Sequence, residues 1–448
     1  MRRARQRGPF EPNPGTRTIP EADRLLRLME PPAVIKGQIQ HQIPRRASLK
    51  RCSLPELTGE AMGDIRRVLI VGGGIGGLTA ATAFAQRGVE VVVVERRPDF
   101  DVPGVGLGQP ANALRVYDAL GILSEILQIG FTYDRMYIFD ANREKLIIEH
   151  KFLLGGDSVP PTCALSRLQL HEILLGAAER AGAKVRTGLT VREIHDEKDS
   201  VTVAYSDGRI ESFDLLAGFD GIRSTTRLHL VGTAFAPRPS GYGGWRVQVP
   251  RHDCVRCMEF LLGVGGKTGA MPLGEDLMYV FHICPEAPDA VFSRQDLPDL
   301  FRARLSRYGS YVAEVAATLD ENSDIVYSPI EPMLLPWPWF RGRVVLGGDA
   351  AHAFPPHLTQ GAAMAAEDGY VFAREALADE MPIDGRLMRY SQMRYARCAL
   401  VYTFSYQWML DEQSARTPED LAAVQSELRM NGSARLAASD RILNSRIL

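Results

Sequence analysis

The stretch RRVLIVGGGIGGLTAATAFAQRGVEVVVVERR, Arg66 to Arg97, decides the fold. Five glycines fill the six positions Gly72 to Gly77, between a short apolar run, Val68 to Val71, and a run with helical spacing, Leu78 to Gln86. A second apolar run, Val89 to Val94, ends on Glu95. Continuous apolar runs of this length suit the buried strands of a parallel sheet, so the stretch reads as a βαβ unit. Gly72, Gly74 and Gly77 satisfy G-x-G-x-x-G. In that pattern the first glycine makes a tight turn, the second lets backbone approach a pyrophosphate, and the third packs helix closely on strand. The helix that follows offers free N–H groups and a partial positive charge to phosphate. Glu95 lies 21 residues past Gly74, where a carboxylate accepts hydrogen bonds from ribose hydroxyls. The glycine pattern alone is a weak signal. A merely tight turn leaves Glu95 unexplained, and the whole unit reads as a dinucleotide site.

The bulk numbers leave room for it. A chain of 448 residues buries a large core and suggests two or three domains. A net charge of −2 gives no support for a nucleic-acid or anionic-membrane partner. No apolar run approaches the roughly 20 residues that span a bilayer, and Ala399 to Leu410, broken by Thr403, Ser405 and Gln407, fits a packed helix better. Six cysteines over the whole length are too sparse for a disulfide framework and fit a reducing, cytoplasmic setting. Cys254 and Cys257 form a lone C-x-x-C with His252 nearby, without the second pair that tetrahedral zinc needs, so no metal is expected. Residues 1–61 carry 12 Lys and Arg against 6 Asp and Glu, with scattered prolines and no periodicity. They lack an apolar targeting core and read as a disordered extension, or as sequence preceding a true start at Met62.

After the opening unit, residues 131–152 read as paired strands around the turn DANRE. Arg167 to Arg180 reads as a helix, followed by strands near 184–193 and 200–205 and a hairpin turn at SDGR. Alternating strands run through about 242–283, Leu297 to Ala317 is helical, and Val344 to Leu346 is a buried strand running into glycines. Residues 360–430 are mostly helical. The run GVGGKTG, Gly263 to Gly269, looks like a phosphate loop, but Leu261 stands where its first glycine is required.

Two further motifs accompany the glycine turn. One is LLAGFDGIRSTTR, with Asp220, Gly221, Arg223 and Arg227; the other is GRVVLGGDAAHAFPPHLTQGAAMAAEDG, with Gly348, Asp349, His352, Pro355, Pro356, Gln360, Gly361 and Asp368. With these three ordered motifs, residues 62–400 resemble the single-component (group A) flavoprotein aromatic hydroxylases of the p-hydroxybenzoate hydroxylase type. PHLTQGAAMAAEDG is most similar to the salicylate, 3-hydroxybenzoate and 6-hydroxynicotinate hydroxylase branch. The resemblance implies an α/β fold: a Rossmann-like, GR2-type FAD-binding domain with an inserted β-sheet substrate domain and C-terminal helices. The expected FAD-binding segments are 62–130, 163–235 and 335–385. The substrate sheet takes 131–162 and 236–334, and the C-terminal helices 386–448.

The same resemblance implies roles. FAD is expected to be held by Gly72, Gly74, Ile75, Gly76, Gly77, Glu95 and Arg96 at the fingerprint, with Arg115, Arg167 and Asp220 as further contacts. Asp349 takes a ribityl hydroxyl, and Gln360, Gly361, Ala362 and Ala363 open a helix toward the flavin's pyrimidine side. NADH or NADPH docks without a Rossmann domain of its own, and no second fingerprint is present. The implied reaction is reduction by NAD(P)H, addition of O₂ to give a flavin hydroperoxide, and oxygen transfer to a small hydroxylated aromatic or N-heteroaromatic ring. Tyr242 and Arg246, in SGYGGWRVQVP, are candidates to meet a phenol and a carboxylate, and His357 is a candidate substrate or proton contact. His352 is assigned a structural place behind the flavin loop. Alternatives are a larger polycyclic or quinone-like substrate, and a non-catalytic FAD-binding partner protein. A monomer or homodimer is expected.

Overall fold

In the computed structural model the two apolar runs of the opening stretch are adjacent parallel strands, Arg67–Val71 and Glu90–Val94, joined by the helix Ile75–Ala85. The structure describes residues 64–100, 105–156, 158–378 and 381–445; the expected N-terminal extension lies outside them. Val68, Leu69, Ile70, Val91, Val92 and Val93 are all fully buried, which explains their uninterrupted apolar pattern. The sheet has six strands in the order Phe340–Arg341, Val344–Leu346, Leu215–Gly218, Arg67–Val71, Glu90–Val94, Lys184–Arg186. All pairings in it are parallel except that of the edge hairpin Phe340–Arg341 with Val344–Leu346.

Against this sheet pack the helices Ile75–Ala85, Arg167–Arg180 and Gly361–Ala376. Arg167–Arg180 begins where the sequence places it because Ser166 and Gln169 form a reciprocal capping box. The crossing of Ile75–Ala85 with Gly361–Ala376 is close: a Cβ on Gly369 would stand 2.4 Å from the Gly76 carbonyl oxygen.

A second sheet of seven strands has the order Val326–Pro329, Tyr242–Pro250, Leu277–Pro285, Gly266–Pro272, Met258–Gly263, Arg135–Asp140, Leu146–Lys151. Its outer face, with Trp245, Val247, Val280 and Leu261, buries against the helices Leu297–Leu305 and Tyr311–Thr318. Its inner face, with Met136, Ile138, Met258, Phe260, Tyr279 and Phe281, packs with Trp408, Leu428 and Leu436 from the C-terminal helices. Alternation along each strand separates the two cores. Where one helix is expected over Leu297 to Ala317, there are two; the chain breaks at Ser306–Ser310, with Ser310 at φ +56°. Gly309, a weak helix former, sits at this break; its N–H donates to the Ala141 carbonyl at 3.1 Å and a Cβ on it would stand 3.0 Å from Asn142 Oδ1.

Candidate active site

At the end of strand Arg67–Val71 the backbone turns through Gly72, whose φ is +109°. A side chain there would meet the Phe219 carbonyl oxygen at 2.3 Å, and one on Gly77 would meet the Gly72 carbonyl oxygen at 2.0 Å. Gly74 is different: a Cβ there meets nothing within 4 Å. The helix starting at Ile75 has no side-chain cap, so the turn exposes an open face and free N–H groups together. Glu95 accepts from the Gly73 N–H at 3.0 Å and the Arg97 N–H at 2.9 Å, fixing its carboxylate beside the turn. His171 completes the support, with Nε2 2.7 Å from the Gly73 carbonyl. Burial lowers the His171 pKa, so the neutral ring donates this bond.

Asp220 follows the neighbouring strand Leu215–Gly218 and is saturated by its own turn. It accepts from Ser224 Oγ at 2.5 Å and from the N–H groups of Thr225 and Thr226 at 2.8 and 3.0 Å. Arg227 then reaches the Ala350 carbonyl at 3.1 Å and ties this motif to the Gly348–Ala350 turn.

Asp349 lies on that turn. It and Arg167 are both exposed, and yet burial is the first influence on the charge of each. It pushes the Asp349 carboxyl up, against the His352 and Arg167 charges, and the Arg167 guanidinium down, against Asp349. Both groups lose hydration while keeping an accessible face, and their charges act on each other across a shallow slot between the Gly348–Ala350 turn and the start of helix Arg167–Arg180. Arg246 and Tyr279, from the inner face of the seven-stranded sheet, act on Arg167 in the same slot. Arg246 Nη1 is bound to Ser328 Oγ at 2.6 Å and to the Gly244 carbonyl at 3.3 Å.

Behind the slot is a buried ionic network. Asp368 accepts from the Gly348 N–H at 2.8 Å, pairs with His352 at 2.5 Å and meets Arg394. Glu367 meets Arg394, Arg397 and Asn112, and Asn112 also donates to Gln360 at 3.1 Å. Burial opposes charge on His352, and the Cys398 sulfur and the Asp368 carboxylate outweigh it, raising its pKa to about 10. Ligand atoms of His352, Asp368 and Cys398 come within 4.8 Å of one another. The Arg394 guanidinium, bound to Asp368 and 3.7 Å from Cys398 Sγ, already supplies the cation there.

The turn Pro356–Leu358 and Gln360 border a cavity of about 790 Å³ of empty space, counted to its solvent-open mouth. Its other walls are the inner sheet face and the C-terminal helices. Inside it Glu412 bridges two partners: Lys267 Nζ at 2.6 Å and His357 Nε2 at 3.1 Å. All three side chains are at most 9% exposed. Burial works against the Glu412 charge, but Lys267 and His357 outweigh it and hold its pKa at about 2. The His357 pKa is lowered, by burial first and by Lys267 next. Tyr242 lies outside this triad among Ile283, Ile330 and Met409, its phenol pushed up by burial and by the Glu412 charge.

Residues 66–405 match the family model described as FAD binding domain. The chain belongs to this FAD-binding family. It is 31% identical over 341 residues to 2-heptyl-3-hydroxy-4(1H)-quinolone synthase of Pseudomonas aeruginosa, covering 75% of this chain and 86% of that one. With 3-hydroxybenzoate 6-hydroxylase 1 of Aquipseudomonas alcaligenes it shares 29% over 357 residues, covering 75% and 87%. The fold is that of Klebsiella pneumoniae HpxO, solved with FAD and uric acid, at a TM-score of 0.74 and 24% identity, covering 84% of this chain and 96% of HpxO.

The residues fit FAD. Among the described residues a Cβ on Gly74 meets nothing within 4 Å, the helix at Ile75 has no side-chain cap, and Asp349 is exposed, so donors and an acceptor are accessible along this edge. The helix Gly361–Ala376 is also uncapped at Gln360, and Gly361 has nothing within 4 Å of its Cβ position, so Gly361, Ala362 and Ala363 present a second bare N-terminus. Arg96 is exposed just beyond Glu95. Arg115 is directed elsewhere, to the Gly155 carbonyl at 3.3 Å and to Asn444. Sequence reasoning missed His171, Lys267 and Glu412. Lys267 carried a signal, since a lysine within a buried strand demands a counter-charge.

Proposed function

We propose that this chain is an NAD(P)H- and O₂-dependent FAD monooxygenase that hydroxylates a small hydroxylated aromatic or N-heteroaromatic ring. One observation carries the reading: the Pro356–Gln360 segment that leads into the bare N-terminus at Gly361 also walls the inner-sheet cavity, so ring site and cofactor helix are continuous. The product named for the quinolone synthase and the substrate named for the hydroxybenzoate hydroxylase, both hydroxylated rings, support the same class.

In this reading Gly72, Gly74, Ile75, Gly76 and Gly77 hold the pyrophosphate through backbone N–H groups, and Glu95 takes the ribose. Arg167 and Asp349 hold the middle of the cofactor, and the N–H groups at Gln360–Ala363 favour negative charge at its pyrimidine end. Bound FAD supplies electron transfer from NAD(P)H and activation of O₂. Asp220 shapes its turn, because its acceptor capacity is already filled. His357 contacts the ring and takes its proton, and the apolar walls exclude water. Free thiols at Cys163, Cys254, Cys257, Cys284 and Cys398 support a reducing compartment, the cytoplasm. Among the described residues no helix is long and apolar enough to cross a membrane.

The test is NAD(P)H oxidation by the FAD-loaded protein against a panel of hydroxylated benzenes, pyridines and quinolines in ¹⁸O₂. Faster oxidation with ¹⁸O in the product supports the reading. No stimulation by any ring would leave a non-catalytic flavoprotein in its place.

A further inference from the structure

The cavity has a charge balance that selects among rings. Met136, Ile138, Met258, Phe260, Leu262 and Trp408 make most of its wall apolar. Among the described lining residues one side chain is a permanent cation, Lys267, and its ammonium is matched by Glu412 at 2.6 Å. The other lining acid, Asp440, is bound by His150 Nε2 at 2.9 Å and by the Leu153 N–H at 2.8 Å. Arg246, expected from sequence to meet a substrate carboxylate, is not a lining residue and is bonded to Ser328. Among the described lining residues a ring carboxylate would have no free positive partner, and an unpaired anion held against apolar walls is disfavoured.

The triad also fixes the hydrogen-bonding state of His357, one of the residues that line the cavity. Carboxylates only accept, so His357 Nε2 carries the proton that it gives to Glu412. The ring is neutral, and its Nδ1 is therefore a lone pair. That atom has no hydrogen-bond partner among the described residues. A buried acceptor left open is matched by a donor on the ligand and repelled by a carboxylate oxygen.

We infer that the cavity takes an uncharged aromatic or N-heteroaromatic ring whose acidic O–H or N–H donates to His357 Nδ1, and that it rejects ring carboxylates, with Lys267 and Glu412 acting as positioning residues for His357. The inference rests on the reading of this cavity as the ring site. It narrows that reading to phenol- and hydroxyquinoline-like compounds and excludes the hydroxybenzoates.

The experiment is equilibrium binding to the FAD-loaded enzyme, followed by flavin absorbance and by calorimetry, using pairs that differ in one group. For 1-naphthol against 1-hydroxy-2-naphthoate, and 4-hydroxyquinoline against its 2-carboxylate, the neutral member is expected to bind at least about tenfold tighter. Blocking the donor, as in 1-methoxynaphthalene, is expected to cost about tenfold. Glu412→Gln frees the Lys267 charge, so it should shift the preference toward the carboxylated member. Equal or tighter binding of carboxylates by the wild-type enzyme overturns the inference and leaves the proposed reaction standing. Unchanged affinity of the methyl ether overturns the assignment to His357. If no ring of either kind binds, the cavity is not the ring site, and this inference and the proposed function fall together. The wild-type measurements decide the matter even where the variant does not fold.

Discussion

The glycine turn and the ring cavity solve the same problem, holding a ligand in place, with opposite materials. At Gly72–Gly77 the recognition surface is backbone: a Cβ on Gly72 or Gly76 would collide with Phe219 and one on Gly77 with the turn itself, while Gly74 leaves an open position. In the cavity the backbone is ordinary sheet and helix. The surface there is made by side chains from strand Gly266–Pro272, turn Pro356–Leu358 and helix Ile383–Ser414. A backbone site is local, and one short stretch of sequence encodes it. A side-chain site is assembled by the fold from positions 145 and 55 residues apart.

The contrast is most sharply tested by alanine at two glycines. Gly77→Ala places a methyl 2.0 Å from the Gly72 carbonyl oxygen, with no flexible group to give way. The expected result is protein that does not retain FAD, with stability lowered by about 4 kcal/mol or more. Gly74→Ala has nothing within 4 Å in the protein, so it should fold and melt like the parent. Its methyl points where the cofactor approaches, and FAD affinity should fall by about tenfold or more. Flavin absorbance after gel filtration, read beside a melting curve, separates the two effects. A Gly74→Ala protein with parental FAD affinity would break the assignment of this turn.

The corresponding experiment in the cavity removes one charge. Glu412→Gln leaves Lys267 buried without its anion, and a broken buried pair costs on the order of 3–5 kcal/mol. Replacing both partners, Lys267→Met with Glu412→Leu, should recover most of that loss, since matched apolar groups are often neutral in such positions. Denaturant titration of the single and double variants checks it. A double variant as unstable as the single one would mean that packing, and not charge, governs the region.

The two regions should also fail at opposite ends of the pH scale. His352, behind the cofactor slot, has a folded pKa of about 10 against an ordinary 6.5. A raised pKa stabilises fully below the unfolded value, so this contribution is intact below about pH 6.5 and is lost as pH climbs toward 10. Glu412 has a folded pKa of about 2 against 4.5. Its contribution is present above about pH 4.5 and is lost as pH falls toward 2. Melting temperature across pH should show a loss on both limbs. His352→Gln should flatten the alkaline limb alone, and Glu412→Gln the acid limb alone.

Legibility follows the same division. The βαβ unit, the helix Arg167–Arg180 and the hairpins are readable because glycine chemistry, a capping box and strand alternation are local. The break at Ser306–Ser310 is legible only in part: Gly309 marks it locally, while its bond to the Ala141 carbonyl comes from another segment. Of the cavity triad His357 stands out in its motif, and Lys267 is marked only as a charge within an apolar strand. Nothing near Glu412 in the chain marks it, and its role exists only once Lys267 is packed opposite. His171 is invisible for the same reason: its bond to Gly73 spans 98 residues.

Two arginines that the sequence treats alike give the smallest and last test. Arg167 opens a helix, Arg115 lies within one, and both are expected from sequence to touch FAD. Arg167 lies near enough to Asp349 that their charges act on each other. Arg115 instead spans from helix Ala111–Ala119 to the Gly155 carbonyl and Asn444, linking the helix to the C-terminal segment. Arg167→Met should weaken FAD by about tenfold, because a charge facing the cofactor has been removed from a site of low hydration. Arg115→Met removes the half-buried hydrogen bonds to Gly155 and Asn444, a loss of about 1 kcal/mol or more in stability, and should leave FAD affinity within about twofold. If Arg115→Met instead sheds FAD as readily as Arg167→Met, the C-terminal link is itself part of the cofactor site, and the division between a backbone-built cofactor end and a side-chain-built ring end no longer holds.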